Sequence, residues 1–247
     1  MRVYQLNTFC GIKSTGRIAW EISKLVLQDG GAVRLGYGAE QPSGESAPYA
    51  YRIGSMLGRK LHGAMRKLLD AEGYGSYFAT KALIRDIKAF APDLIHLHNL
   101  HGAYLHLPLL FRYLGKAGIP VVWTLHDCWS FTGHCAYFDA SGCGKWQSQC
   151  AHCPSLKQYP VCMGLDGSRR NHRMKKKYLS KPEDMTFVVP CRWLEGYLKK
   201  SHLGHYPCRV IYNGVNLNAF RPVVSDLRQR YGLEDKKIVL SVASDWD

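Results

Sequence analysis

Nowhere in this sequence do about 18 apolar residues run together, which argues against a membrane-spanning helix. The opening MRVYQLNTF lacks a basic stretch followed by an apolar core, so it does not read as a secretory leader. Low-complexity tracts are missing as well. With 46% hydrophobic and 21% charged residues, the composition excludes a disordered chain. Acidic residues are scarce: 19 Asp and Glu stand against 33 Lys and Arg, leaving a formal charge of +14. That excess favours phosphate-bearing partners such as nucleic acid, anionic lipid or nucleotide sugars, without choosing among them. Nine cysteines without a leader point to reduced thiols or metal ligands rather than a disulfide framework, and to the cytoplasm.

What is present reads as alternating strands and helices. Met1 to Leu6 is a first strand, followed by a helix with Ile18, Ile22, Leu25 and Val26 on one face and Ser14 or Thr15 placed to cap it. Ala32 to Tyr37 is a second strand. DLIHLH leads into the helical LHLPLLFRYLGKAG, IPVVWTLH into a cysteine-rich insertion at about 128–160, and MTFVVP into RWLEGYLKKS; CRVIYNG closes the series. Short apolar runs alternating with amphipathic helices predict an α/β fold with a doubly wound parallel sheet, Rossmann-like, with ligands at the carboxyl ends of its strands. Beyond Val215 a proline-containing connector and a short helix precede the apolar KKIVLSVAS. We therefore expect a first domain over 1–212, a linker over 213–224 and the start of a second domain over 225–247.

Polar groups gather where the strands end. In CGIKSTGR, Gly11 and Gly16 would let backbone approach a ligand, and Ser14, Thr15 and Arg17 open a helix whose free N–H groups suit an anion. IHLHNLHG carries His96, which reads as a hydrogen-bonded core residue. Its neighbours His98, Asn99 and His101 are candidates for touching a sugar. VVWTLHDCW ends in His126 and Asp127, where an imidazole can exchange hydrogen bonds near neutral pH. The plainer reading is that Asp127 caps the next turn while His126 packs.

Cys135, Cys143, Cys150 and Cys153 follow the spacing C-x7-C-x6-C-x2-C in a polar, glycine-rich loop. Four thiolates there suit a tetrahedral structural zinc and leave no open position for a catalytic one; unligated, partly buried thiols are the competing reading. Arg52 to Asp70 repeats Ile53, Met56, Leu57, Leu61, Ala64, Met65 and Leu68 at helical spacing, with Arg59, Lys60, Arg66 and Lys67 on the other faces. Such a helix suits an anionic membrane surface, or else an ordinary helix with its apolar stripe in the core. RRNHRMKKKYLSK would reinforce the membrane reading.

PDLIHLHNLHG, VVWTLHDCWSFTGHCAYF, the trailing CxxCP and VIYNGVNLNAFRP together resemble family-four glycosyltransferases of the GT-B fold, in the bacterial branch that builds extracellular polysaccharides such as colanic acid. The resemblance runs from the STGR turn to the NGV linker and implies a retaining, hexosyltransferase-type enzyme without a catalytic metal. It further implies transfer of a sugar from a nucleotide-diphosphate donor to a sugar or lipid-linked glycan acceptor. By position, His126 matches the histidine that faces the reacting sugar, and Gly16 the loop beneath donor phosphates and acceptor. CRWLEGYLKKS matches a PSxWL segment, with Cys191 where serine is common. The family's donor-binding half would follow Asp247, so the chain by itself is expected not to turn over. The location implied is cytoplasmic, at the inner face of the cell membrane.

Two rival classes remain at this point. A zinc-stabilised nucleic-acid-binding module would suit the basic charge, four cysteines and aromatics, but the basic residues are split between segments, and the strand ends carry histidine and aspartate. Nucleic acid is therefore not an expected partner. The other rival is a non-catalytic glycan-binding protein.

Overall fold

A computed structural model describes residues 1–241. The apolar runs become seven strands: β1 (Arg2–Asn7), β2 (Ala32–Tyr37), β3 (Ala50–Arg52), β4 (Leu94–Leu97), β5 (Val121–Thr124), β6 (Met185–Val189) and β7 (Cys208–Val210). Six helices connect them: α1 (Lys13–Gln28), α2 (Met56–Leu69), α3 (Tyr77–Phe90), α4 (Leu107–Ala117), α5 (Ser168–Tyr178) and α6 (Arg192–Lys200). All strands pair in parallel, in the order β3-β2-β1-β4-β5-β6-β7. The protein is thus α/β and Rossmann-like. Strand β3 is three residues long and too short to show a period, and α3 was not read from the sequence.

The two faces of the central strands differ: one is apolar, while the other buries Gln5, Asn7, His96 and Thr124. Ile95, Leu97, Val121, Trp123 and Phe187 are buried, and Trp123 packs against Phe111 of α4 at 5.4 Å and Phe187 of β6 at 5.5 Å. Helix ends follow local chemistry. Ser55 accepts from Gly58 N–H at the start of α2, and His106 accepts from Leu109 N–H at the start of α4, which Gly118 ends with φ of 64°. Helix α1 departs from expectation. It begins at Lys13 behind Ile12, which supplies no side-chain cap, so Ser14 and Thr15 lie within the first turn rather than before it.

Strand order reverses at β1: the chain first proceeds to β2 and β3 on one side, then returns as β4 on the other. The two connections leave in opposite directions and open a crevice beyond the carboxyl ends of β1 and β4. The sheet and its helices belong to a unit spanning Met1–Asn213; Gly214–Asp247 forms a second unit with one short helix, α7 (Leu227–Arg230), among the described residues. Residues 236–241 of the expected KKIVLSVAS strand are not in a strand, and its remainder lies outside the described residues. No helix among the described residues is long and apolar enough to cross a membrane.

Candidate functional site

Strand β1 buries two polar side chains on one face, Gln5 and Asn7, and both organise the crevice. The Asn7 amide donates to Phe9 O at 2.9 Å and Thr15 Oγ1 at 3.2 Å, while its oxygen accepts from Asn99 N–H at 3.2 Å. One side chain therefore ties the end of β1, the opening turn of α1 and the loop after β4. Thr8 adds to the same joint, donating to His101 O at 2.6 Å.

Gln5 sets a hydrogen-bond relay. Its amide nitrogen donates to Ala19 O at 2.9 Å, and a backbone carbonyl can only accept, so the amide oxygen must face His98. His98 Nε2–H donates to that oxygen at 2.8 Å. A neutral His98 then carries a lone pair on Nδ1, and His126 Nε2–H donates to it at 3.2 Å. His126 is left with the lone pair on Nδ1, at the partly exposed end of the relay. Neutrality follows from burial, which drives the His98 ring well below the usual histidine value and His126 down to about 4. His96, His98 and His126 stack in a row, with centroids 4.2 and 5.5 Å apart. His96 pairs with Thr124 Oγ1 at 2.8 Å inside the sheet, its pKa lowered to about 4 by burial and then by His126.

A second chain of bonds lies beside the first. Both Asp127 oxygens are taken: Oδ1 accepts from Trp129 N–H at 2.9 Å, and Oδ2 from His101 Nε2–H at 2.9 Å. Burial raises the Asp127 carboxyl, but His101 and the Trp129 N–H outweigh it, and the net shift is downward. Tyr159 donates to His101 Nδ1 at 2.9 Å. Lys175 is buried with its ammonium on Trp129 O and Thr132 O, locking the turn after Asp127; burial lowers its pKa to about 7.

The predicted residues therefore separate. His126, Asn99, Ser14 and Arg17 keep exposed surface at the strand ends and the α1 turn. His98 and His101 are buried, 1% and 6% exposed, and reach the crevice only through their bonds to His126 and Asp127, against the expectation that they would be open to a sugar. Gly16 is buried too, and a Cβ there would stand 3.0 Å from Phe9 Cβ, so glycine at this position lets α1 pack closely against Phe9. Gly11, with φ of 68°, does need glycine: a Cβ would collide with the Ser46 hydroxyl. Gln5, Asn7, Thr8 and Tyr159 were missed. The clue for the first two was polar residues at alternate positions in an otherwise apolar strand. The larger surface concavities, of about 450 Å³ beside Lys88 and Tyr113 and about 430 Å³ beside Phe78 and Leu109, lie away from these groups.

All nine cysteines are free. Cys135, Cys143, Cys150 and Cys153 meet around one cavity of about 10 Å³, closed by Phe138 and Trp146, and Gly133 N–H donates to Cys150 Sγ at 3.2 Å. Among the described residues, no group of three or more His, Cys, Asp or Glu stands where it could hold a metal ion, so the zinc expectation rests on this convergence alone.

A parallel sheet with a hydrogen-bonded polar cluster at its switch point defines an α/β, Rossmann-like domain, the class in which ligands gather at that crevice. The chain belongs to Glycosyltransferase Family 4, which it matches over residues 40–219. It is 26% identical over 258 aligned positions to WcaC of Escherichia coli (strain K12), whose name describes a colanic acid biosynthesis glycosyl transferase. That match covers 99% of this chain and 62% of WcaC, so the chain spans under two thirds of its relative. Sucrose-phosphate synthase from Thermosynechococcus elongatus shares the fold, with a TM-score of 0.54 at 14% identity over 94% of this chain and 52% of that one.

Proposed function

We propose that the protein is a retaining glycosyltransferase that moves a sugar from a nucleotide-diphosphate donor to a sugar or lipid-linked glycan acceptor in bacterial polysaccharide synthesis. In this reading residues 1–212 form the acceptor side, 213–224 a linker and 225 onward the opening of a donor-binding domain. The observation that carries it is His126: a neutral imidazole whose tautomer is set by His98 and Gln5, with an acceptor lone pair presented at the switch point. Such a group accepts a hydrogen bond from a sugar hydroxyl and imposes no charge on it. Family membership and the name of WcaC support the reaction and the polysaccharide context.

Asp127 is assigned a positioning part, since both its oxygens are engaged. Asn99, Ser14 and Arg17 are the remaining groups able to meet ligand at the same edge. The test is transfer of radiolabelled sugar from a panel of nucleoside-diphosphate sugars to membrane lipid extract by the full-length protein. Transfer from one donor, with the anomeric configuration kept in the product, is the expected result. No transfer from any donor, together with salt-sensitive binding of generic DNA or RNA, would overturn the reading in favour of a nucleic-acid-binding module.

A further inference from the structure

The cysteine-rich insertion is stitched to the edge of the crevice. Cys128 N–H donates to Ala136 O at 2.9 Å, Ala136 N–H to Tyr159 O at 3.2 Å, and Thr132 Oγ1 to Cys135 O at 2.6 Å. The segments around 136 and 159 are therefore held beside the turn that follows Asp127. Each carries a tyrosine. The Tyr137 hydroxyl donates to His126 O at 3.4 Å. The Tyr159 hydroxyl donates to His101 Nδ1 at 2.9 Å, and its ring meets the imidazole edge to face with centroids 5.6 Å apart. Both tyrosines remain open to solvent, 55% and 52% exposed.

A surface tyrosine is ordinarily free to swing away. Here each hydroxyl is tethered to a residue of the site, so both rings are fixed before any ligand arrives, and little ordering entropy opposes contact with them. Burial first, then the neighbouring carboxylates, raise both phenols, Tyr159 to about 12, so neither ring carries charge. The Asp127 carboxylate beside both disfavours a phosphate at this edge. A pyranose offers the opposite chemistry: an apolar face of C–H groups, rimmed by hydroxyls. The C–H face covers a tyrosine ring while a rim hydroxyl reaches His126. We infer that Tyr137 and Tyr159 form a stacking subsite for a pyranose ring of the acceptor, so that the insertion selects which sugar is presented to His126. Both rings lie in the Met1–Asn213 unit, the acceptor side in the proposed reading. Naming that sugar the acceptor rests on the transferase reading; its stacking on the two rings does not.

Saturation-transfer NMR of the full-length protein with methyl pyranosides of glucose, galactose, mannose and N-acetylglucosamine tests the subsite without catalysis. At least one pyranoside should bind, and Tyr137→Ala should weaken that binding about tenfold. Tyr137→Phe keeps the ring and gives up only the long bond to His126 O, so it should bind within about twofold of the parent. Thermal melts check that both variants stay folded. In sugar transfer, Tyr137→Ala should raise the acceptor concentration for half-maximal rate about tenfold and leave the donor KM unchanged. Three results would each overturn the proposal: no pyranoside bound by the parent protein, undiminished binding by Tyr137→Ala, or a raised KM for the donor instead of the acceptor. Tyr137-dependent pyranoside binding without transfer from any donor would uphold the sugar subsite and overturn the transferase reading.

Discussion

Replacing His126 by glutamine separates its titration from its hydrogen bond. The glutamine amide can still donate to His98 Nδ1, as His126 Nε2–H does at 3.2 Å, but it cannot take up a proton. In the parent protein the ring has a folded value of about 4 against an ordinary 6.5, the cause being burial. A base with a depressed folded pKa contributes stability above its unfolded value and loses it as pH falls through 6.5 toward 4. Between pH 7 and pH 5 the loss from His126 is about 2 kcal/mol. For a unit of this size that is about 4–8 °C in melting temperature. His96 and His98 titrate in the same direction in both proteins, and His134, whose pairing with Asp70 raises its pKa against the effect of burial, opposes them equally in both. Melting curves of parent and His126→Gln at pH 7 and pH 5 should therefore differ in their pH dependence, the variant losing about 4–8 °C less. Equal losses, or a His126 ring that titrates near 6.5 by NMR, would refute the buried, neutral relay.

Gln5→Leu strands the His98 Nε2–H inside the sheet, and a chemical denaturation series should show a loss of about 1–3 kcal/mol. Gly11→Ala places a Cβ against Ser46 at a positive φ and should cost about 1 kcal/mol or more in the same assay. Metal analysis of reduced protein tests the zinc expectation for the four cysteines around their shared cavity: about one zinc per chain is expected, and zinc-free protein would leave them as packed thiols.

Much of this was legible in the sequence because buried parallel strands are written as short apolar runs. DLIHLH, IPVVWTLH and MTFVVP all fall on central strands, and the carboxyl-end rule then directed attention to His126 and Asp127. Spacing could not tell which strand-end histidines are buried. His98 and His101 lie two and five residues from His96, yet only the approach of Gln5, Asp127 and Tyr159 from other elements decides that neither faces solvent. Helix α2 shows the same limit. Its periodicity was plain, but which face turns inward depends on His62 meeting Ser76 and Gly75, a contact between distant turns that periodicity does not record.

The central claim is that His126 presents its Nδ1 lone pair to a sugar. The most direct measurement is sugar transfer by the full-length protein carrying His126→Ala, taken with its melting temperature at pH 7. The account predicts turnover lowered by roughly 10²-fold or more in a protein that remains folded. Unchanged turnover accompanied by a loss of thermal stability would contradict it and leave His126 a packing residue.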